Sequence, residues 1–107
     1  MRSDEEHDKT HREIFKNIVT RLQSNMQEAQ KKVERLKVTA ESGGGLVKAT
    51  MNGQRKLLKM EIDPSIFKIN EKEMLEDLVV AAVGLAMESI DKQSQEILDD
   101  GTSLRYV

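Results

Sequence analysis

Apolar positions in the first third of the chain recur at the spacing of an α-helix. Phe15, Ile18, Leu22, Met26, Ala29, Val33 and Leu36 follow one another at steps of 3, 4, 4, 3, 4 and 3, which places them on one stripe of a helix or a coiled-coil seam. The positions between them are mostly Lys, Arg, Gln, Glu and Asn. The spacing therefore predicts a long helix from about Thr10, solvated over most of its surface. Residues 1–9 have no apolar residue after Met1 and are expected to be mobile. At Leu36 the period changes to two. Leu36, Val38 and Ala40 alternate with Lys37, Thr39 and Glu41; Val47, Ala49 and Met51 alternate with Lys48 and Thr50; Leu58, Met60 and Ile62 alternate with Leu57, Lys59 and Glu61. Gly43-Gly44-Gly45 separates the first two runs. Asn52-Gly53 separates the second and third, where a type I′ turn with positive φ at both residues is expected. The pattern predicts a three-stranded antiparallel meander with one apolar face and Lys37, Lys48 and Lys59 on the other.

Asp63-Pro64 closes the third strand, because Pro cannot donate to a ladder, and Ser65 to Ile69 reads as a turn or short helical connection. Asn70 with Glu73 fits an N-cap and the third helical residue of a capping box. A second helix follows to about Leu98, with Gly101 able to terminate it; the tail from Thr102 to Val107 is expected to be loose. From Leu78 to Met87 this helix is apolar nearly all round. Such a stretch needs burial on two sides, against the sheet and against something else, for which a second protomer is the simplest candidate; Leu78, Val79, Ala82, Val83, Leu85 and Ala86 are the candidate dimer interface. The chain reads as one α+β domain over residues 1–107, with its core at about 10–100, in the order α-β-β-β-α: a three-stranded antiparallel sheet flanked by a long N-terminal and a C-terminal helix.

Composition narrows the chemistry. Of 107 residues, 34% are charged, and the aromatics number two Phe, one Tyr and no Trp, so the core must be aliphatic. The absence of Cys removes disulfides, thiolate nucleophiles and Cys-based metal sites. The first residues lack the apolar region of a secretory signal, and Leu78 to Met87 is too short to span a bilayer; a soluble, intracellular chain is expected.

The net charge is −2, but its distribution says more than its sum. Residues 37–62 hold Lys37, Lys48, Arg55, Lys56 and Lys59 against Glu41 and Glu61, while residues 63–107 are strongly acidic. One surface can thus attract a polyanion while another repels it.

The segments Leu36-Lys37-Val38-Thr39-Ala40-Glu41-Ser42-Gly43-Gly44-Gly45-Leu46-Val47-Lys48-Ala49-Thr50-Met51-Asn52-Gly53, Glu61-Ile62-Asp63-Pro64-Ser65 and Lys72-Glu73-Met74-Leu75-Glu76-Asp77-Leu78-Val79 resemble, in order and spacing, the YbaB/EbfC family of bacterial nucleoid-associated DNA-binding proteins. Ala49 stands where the family pattern has Val, and both ends of the chain are charged where members often carry Gly/Met-rich stretches. The resemblance implies a tweezer-like homodimer that binds double-stranded DNA with little sequence preference, located in the cytoplasm at the nucleoid.

Several clusters admit a chemical and a bland reading. The Gly43-Gly44-Gly45 loop lacks the spacing of a phosphate-binding loop and opens into a strand, so a hairpin turn is the simpler account. His7 and His11 lie four apart, but a closed metal site needs about four rigid ligands, and no metal is expected. Glu71, Glu73, Glu76 and Asp77 suit the dipole of a helix start, and nothing supplies the nucleophile, buried base or pocket that an enzyme needs. Met26, Met51, Met60, Met74 and Met87 read as core or interface filler. The basic residues Lys16, Arg21, Lys31, Lys32, Arg35, Lys37, Lys48 and Lys59 remain as candidate DNA contacts, acting on backbone phosphates. Double-stranded DNA and a second copy of the chain are the expected partners, without cofactor, membrane or small-molecule substrate. The alternative is a protein-interaction or scaffold module working through the N-terminal helix without direct DNA binding, a reading that the sequence pI of about 5.7 leaves open.

Overall fold

A computed structural model describes the backbone of residues 2–69 and 71–102 and the side chains of residues 10–68 and 71–101. The order is α1 (Arg2–Glu34), β1 (Lys37–Ser42), a tight turn through Gly43–Gly45, β2 (Val47–Asn52), β3 (Leu57–Ile62), α2 (Ile66–Ile69) and α3 (Lys72–Thr102). The α+β class and the three-stranded antiparallel sheet, in the order β1-β2-β3, are as the hydrophobic periods predict. Helix α1 starts eight residues before the expected Thr10, and the expected cap Asn70 and most of the tail lie outside the described residues. The first bond of α3 runs from the Leu75 N–H to the Glu71 carbonyl.

The sheet and α3 share an aliphatic core of Val47, Ala49, Met51, Ile66, Ala82, Ala86 and Ile90. Helix α3 lies across β1 and β2 and scarcely touches β3. Ala82 and Ala86 carry no side chain beyond Cβ, which lets the helix axis approach the strands closely. Both are fully buried within the chain's own core, as they could not be if they formed part of an outward-facing interface. Leu78, Val79 and Val83 pack against that core, and Leu85 stands half exposed. At the far end of the sheet Ser42 Oγ donates to the Leu78 carbonyl at 2.6 Å. The glycine turn beside it has φ of +62, +68 and +95, a run of left-handed backbone that only glycine adopts cheaply.

Two sequence expectations are revised. The β2–β3 connection is a three-residue loop, Gly53-Gln54-Arg55, not a two-residue type I′ turn. The Arg55 N–H donates to the Asn52 carbonyl and the Asn52 N–H to the Lys56 carbonyl, both at 3.0 Å, and the residue with positive φ is Arg55, at 62°. This is the type I turn followed by a left-handed residue that ordinarily closes such a loop. With it comes a bulge: Thr50 faces Lys59 and Met51 faces Leu57, which leaves Leu58 as the extra residue. The inserted residue breaks the alternation of β3, and Leu58, expected on the core face, is 50% exposed.

The helices then project from the sheet. In α3, Gly101 does not terminate the helix. It lies against α1, where a Cβ would come within 2.6 Å of the Ala29 Cβ. The α1 seam divides accordingly. Leu22, Met26, Val33 and Leu36 are partly buried and Ala29 is buried, whereas Phe15 and Ile18 are exposed. The molecule measures 86 × 18 × 18 Å with a radius of gyration of 23.2 Å, against about 13 Å for a compact chain of this length.

Candidate nucleic-acid interface

Lys31, Lys32 and Arg35 fall in the last turn of α1 and just past it, where the helix dipole favours cations. The helix unwinds through Leu36, whose N–H bonds the Val33 carbonyl at 3.0 Å, and Lys37 opens β1. The β2–β3 loop docks on this junction. The Gly53 N–H donates to the Leu36 carbonyl at 2.9 Å, and the Gly53 backbone lies so close to α1 that a Cβ would sit 1.6 Å from the Val33 oxygen. Asn52 holds the loop from inside: its Oδ1 accepts from the Gln54 and Lys56 N–H groups at 2.9 and 3.0 Å. The fold thus gathers Lys31, Lys32, Arg35 and Lys37 with Arg55 and Lys56 at one end of the sheet. The sequence placed Arg55 and Lys56 on a turn but gave no sign that the turn folds against the helix end; the small residue after Asn52 was the available signal.

The eight candidates separate by environment. Lys48 lies 3.6 Å from Glu41, and Lys59 lies 2.6 Å from Glu61. The register sets Glu41, Lys48 and Glu61 side by side across the sheet, so its outer face is close to electrically balanced. The hydrogen bond and charge of Glu61 hold the Lys59 ammonium above its ordinary pKa, and Lys59 holds the Glu61 carboxyl below its own. In the row of Lys59 the Thr39 and Thr50 hydroxyls bond to each other at 2.8 Å. Lys31, Lys32, Arg35, Lys37 and Lys56 are exposed, and among the described residues none has a carboxylate within ion-pair distance. Arg55 is paired with Asp91 of α3 at 2.5 Å.

Helical geometry orders the rest of α1. At about 3.6 residues per turn, Lys32 and Arg35, 11 and 14 residues on from Arg21, share with it one flank beside the α3-facing seam. Lys16 lies on the other flank and does not join them. The acidic start of α3 holds Glu73 in its first turn, and Glu76 forms an exposed ion pair with Lys72 at 3.7 Å. Among the described residues no group of three or more His, Asp or Glu is placed to hold a metal ion, and no helix is long and apolar enough to cross a membrane. The His7 side chain lies outside the described residues.

The sequence that folds into this α-β-β-β-α frame matches a known family. The model of the YbaB/EbfC DNA-binding family matches residues 9–104. The chain belongs to that family. Its YbaB/EbfC relatives include a nucleoid-associated protein from Chlorobium chlorochromatii, 51% identical over 71 residues, which are 66% of this chain and 62% of that one. The nucleoid-associated protein Atu0095 from Agrobacterium fabrum is 41% identical over 85 residues, 79% of each chain. The nucleoid-associated protein MCA1327 from Methylococcus capsulatus is 46% identical over 76 residues, 71% of this chain and 70% of that one. In fold, the YbaB/EbfC chain is similar to the crystal structure of the uncharacterized protein HP0035 from Helicobacter pylori, with a TM-score of 0.68 at 18% identity, covering 83% of this chain and 94% of that one.

Proposed function

We propose that the protein is a nucleoid-associated protein of the bacterial cytoplasm that binds double-stranded DNA as a homodimer with little sequence preference. The observation that carries this reading is the cluster of Lys31, Lys32, Arg35, Lys37 and Lys56, exposed cations at one end of the sheet that have no carboxylate partner among the described residues. Cations of this kind neutralise backbone phosphates and release condensed counterions, which gives affinity without base readout. Arg21 extends the strip along α1, whereas Lys48 and Lys59 already face carboxylates and contribute little. The few aromatics give no platform for stacking unpaired bases, which favours duplex over single strands.

The dimer is supported by apolar surface the chain leaves uncovered. Helix α3 spans only two of the three strands, and Val80, Leu85, Met87 and Phe67 are exposed at 72%, 46%, 41% and 64%. A second protomer would cover this surface and double the basic end. The interface is therefore assigned to Val80 and Met87, seven residues apart on one side of α3, with Phe67, in place of the buried Ala82 and Ala86; Leu85 stands on the opposite flank.

The test is duplex binding as a function of salt, by mobility shift or fluorescence anisotropy. Changing Lys31, Lys32 and Arg35 together to Ala is expected to weaken binding to unrelated sequences equally and to flatten the slope of log K against log salt by about 2.7 per protomer, from about 0.9 per phosphate. Helix content should persist, since Ala is the best helix former. A folded triple variant with unchanged affinity and slope would overturn the site. A wild-type protein with no duplex binding at low salt would favour the scaffold reading, which the exposed Ile14, Phe15 and Ile18 of α1 support.

A further inference from the structure

Arg55 occupies the one described non-glycine position with left-handed backbone, φ 62. A glycine would close the same loop without the Cβ crowding that disfavours other residues in this region. The loop needs no help from the Arg55 side chain to hold its place. Asn52 Oδ1 binds two of its N–H groups, and Gly53 fastens it to Leu36 and Val33. A strained residue in a loop already secured by others points to a role for its side chain beyond the fold.

That side chain bonds Asp91 of α3 at 2.5 Å, yet the two side chains are 61% and 51% exposed. An ion pair so open to water holds its partners weakly. The carboxylate can return to solvent without being left buried and uncompensated, so giving up the pair is cheap. The guanidinium stands in the loop beside Lys56, at the end of the sheet where Lys31, Lys32, Arg35 and Lys37 have no carboxylate partner among the described residues. Its planar fork matches a phosphate as well as it matches a carboxylate.

The geometry points to Arg55 as a conditional DNA contact that Asp91 restrains: the guanidinium is held by the carboxylate in the free protein and passes to a backbone phosphate when a duplex lies against the basic end. Asp91 is then a competitor of DNA built into the fold, and it lowers affinity by an amount set by the strength of the pair. This inference rests on the duplex-binding reading above. It also carries a specific ionic signature. When Arg55 moves to phosphate, the DNA releases a counterion but the freed Asp91 attracts one, so the exchange adds little to the salt dependence.

The experiment is a double-mutant cycle on Asp91→Asn and Arg55→Gly, read by duplex affinity across a salt series and by thermal melting. Asp91→Asn is expected to tighten binding severalfold and to steepen the log K against log salt slope by up to about 0.9 per protomer, because the phosphate contact is no longer offset. Arg55→Gly is expected to weaken binding while leaving the melting temperature equal or higher, since it relieves the strained φ. In the Arg55→Gly background, Asp91→Asn should change affinity and slope no more than Glu88→Gln does in the wild type. Glu88→Gln, one turn away on α3, controls for a general loss of negative charge and should have a smaller effect than Asp91→Asn. The inference is overturned if Asp91→Asn binds as wild type, if its gain survives without Arg55, if Glu88→Gln matches it, or if Arg55→Gly lowers stability and leaves affinity intact. Absence of wild-type duplex binding would remove the functional reading as well. Loss of binding in the Lys31/Lys32/Arg35 variant with an unresponsive Arg55–Asp91 cycle would remove this inference alone.

Discussion

Gly53 and Gly44 both sit in turns, and a side chain would trouble them for different reasons. Gly44 has φ +68 and nothing within 4 Å of where a Cβ would stand; its requirement is conformational. Gly53 lies outside the left-handed region, but its Cβ would stand 1.6 Å from the Val33 oxygen; its requirement is contact. Gly44→Ala is therefore expected to cost about 1–2 kcal/mol, the usual price of left-handed backbone. Gly53→Ala must push the β2–β3 loop off the end of α1 and break its bond to Leu36, at about 3 kcal/mol or more, the upper range of overpacking. Gly53→Asn separates the two mechanisms, since Asn tolerates positive φ but not the collision. Thermal melts at fixed protein concentration should rank Gly53→Asn with Gly53→Ala and below Gly44→Ala. A well-tolerated Gly53→Asn would restore the turn as the reason for the glycine.

Helix α1 is a single hydrogen-bonded element with two environments. Its second half is buttressed by α3 through small residues, Ala29 meeting Gly101, and its first half overhangs with Ile14, Phe15 and Ile18 exposed. The unbroken 3-4 spacing of apolar residues shows no boundary between the halves, because periodicity reports which face is apolar and not whether another helix reaches it. Gly101→Val is expected to destabilise by about 1–3 kcal/mol, since the added carbons meet Ala29 and the Asn25 carbonyl. Phe15→Gln should stay within about 0.5 kcal/mol, as surface changes usually do. Chemical denaturation of the two variants, followed by helix ellipticity, checks the contrast; a neutral Gly101→Val would mean that the helices do not depend on close approach there.

At the scale of the molecule, a small sheet with two projecting helices leaves a large surface for its length, and the uncovered apolar residues of α3 and Phe67 are where a second copy gains most. Association would then stabilise the fold by mass action. The melting temperature is expected to rise with protein concentration, and sedimentation equilibrium at micromolar concentration should give the dimer mass. Val80→Asp, on the exposed side of α3, should yield a folded but weakened monomer. Ala82→Asp, at a fully buried position, should prevent folding, because it places an unpaired charge in the core. A concentration-independent melt with monomer mass would defeat the dimer.

The elements and their order follow from local periodicity, which the chain carries in full. A period near 3.6 makes α1 and α3, a period of two makes the strands, and Gly43–Gly45 and Asp63-Pro64 mark breaks that backbone stereochemistry enforces at any position. The family motif, too, lies along continuous segments. The apolar run Leu78 to Met87 announced burial but not which residues the sheet would take: Ala82 and Ala86 went to the core because their small side chains suit close helix–sheet contact. The basic candidates could be counted but not sorted. Register decided that Lys48 would face Glu41, whereas Lys59 and Glu61 are alternate residues of one strand and share its face whatever the register. Docking of the Gly53 loop on Val33 brought Arg55 and Lys56 to Lys31, Lys32 and Arg35 and set Arg55 against Asp91, 36 residues away along the chain. Those contacts join residues distant in sequence, and no local pattern encodes which of them will meet; close approach at single glycines and the order of the strands fixed them.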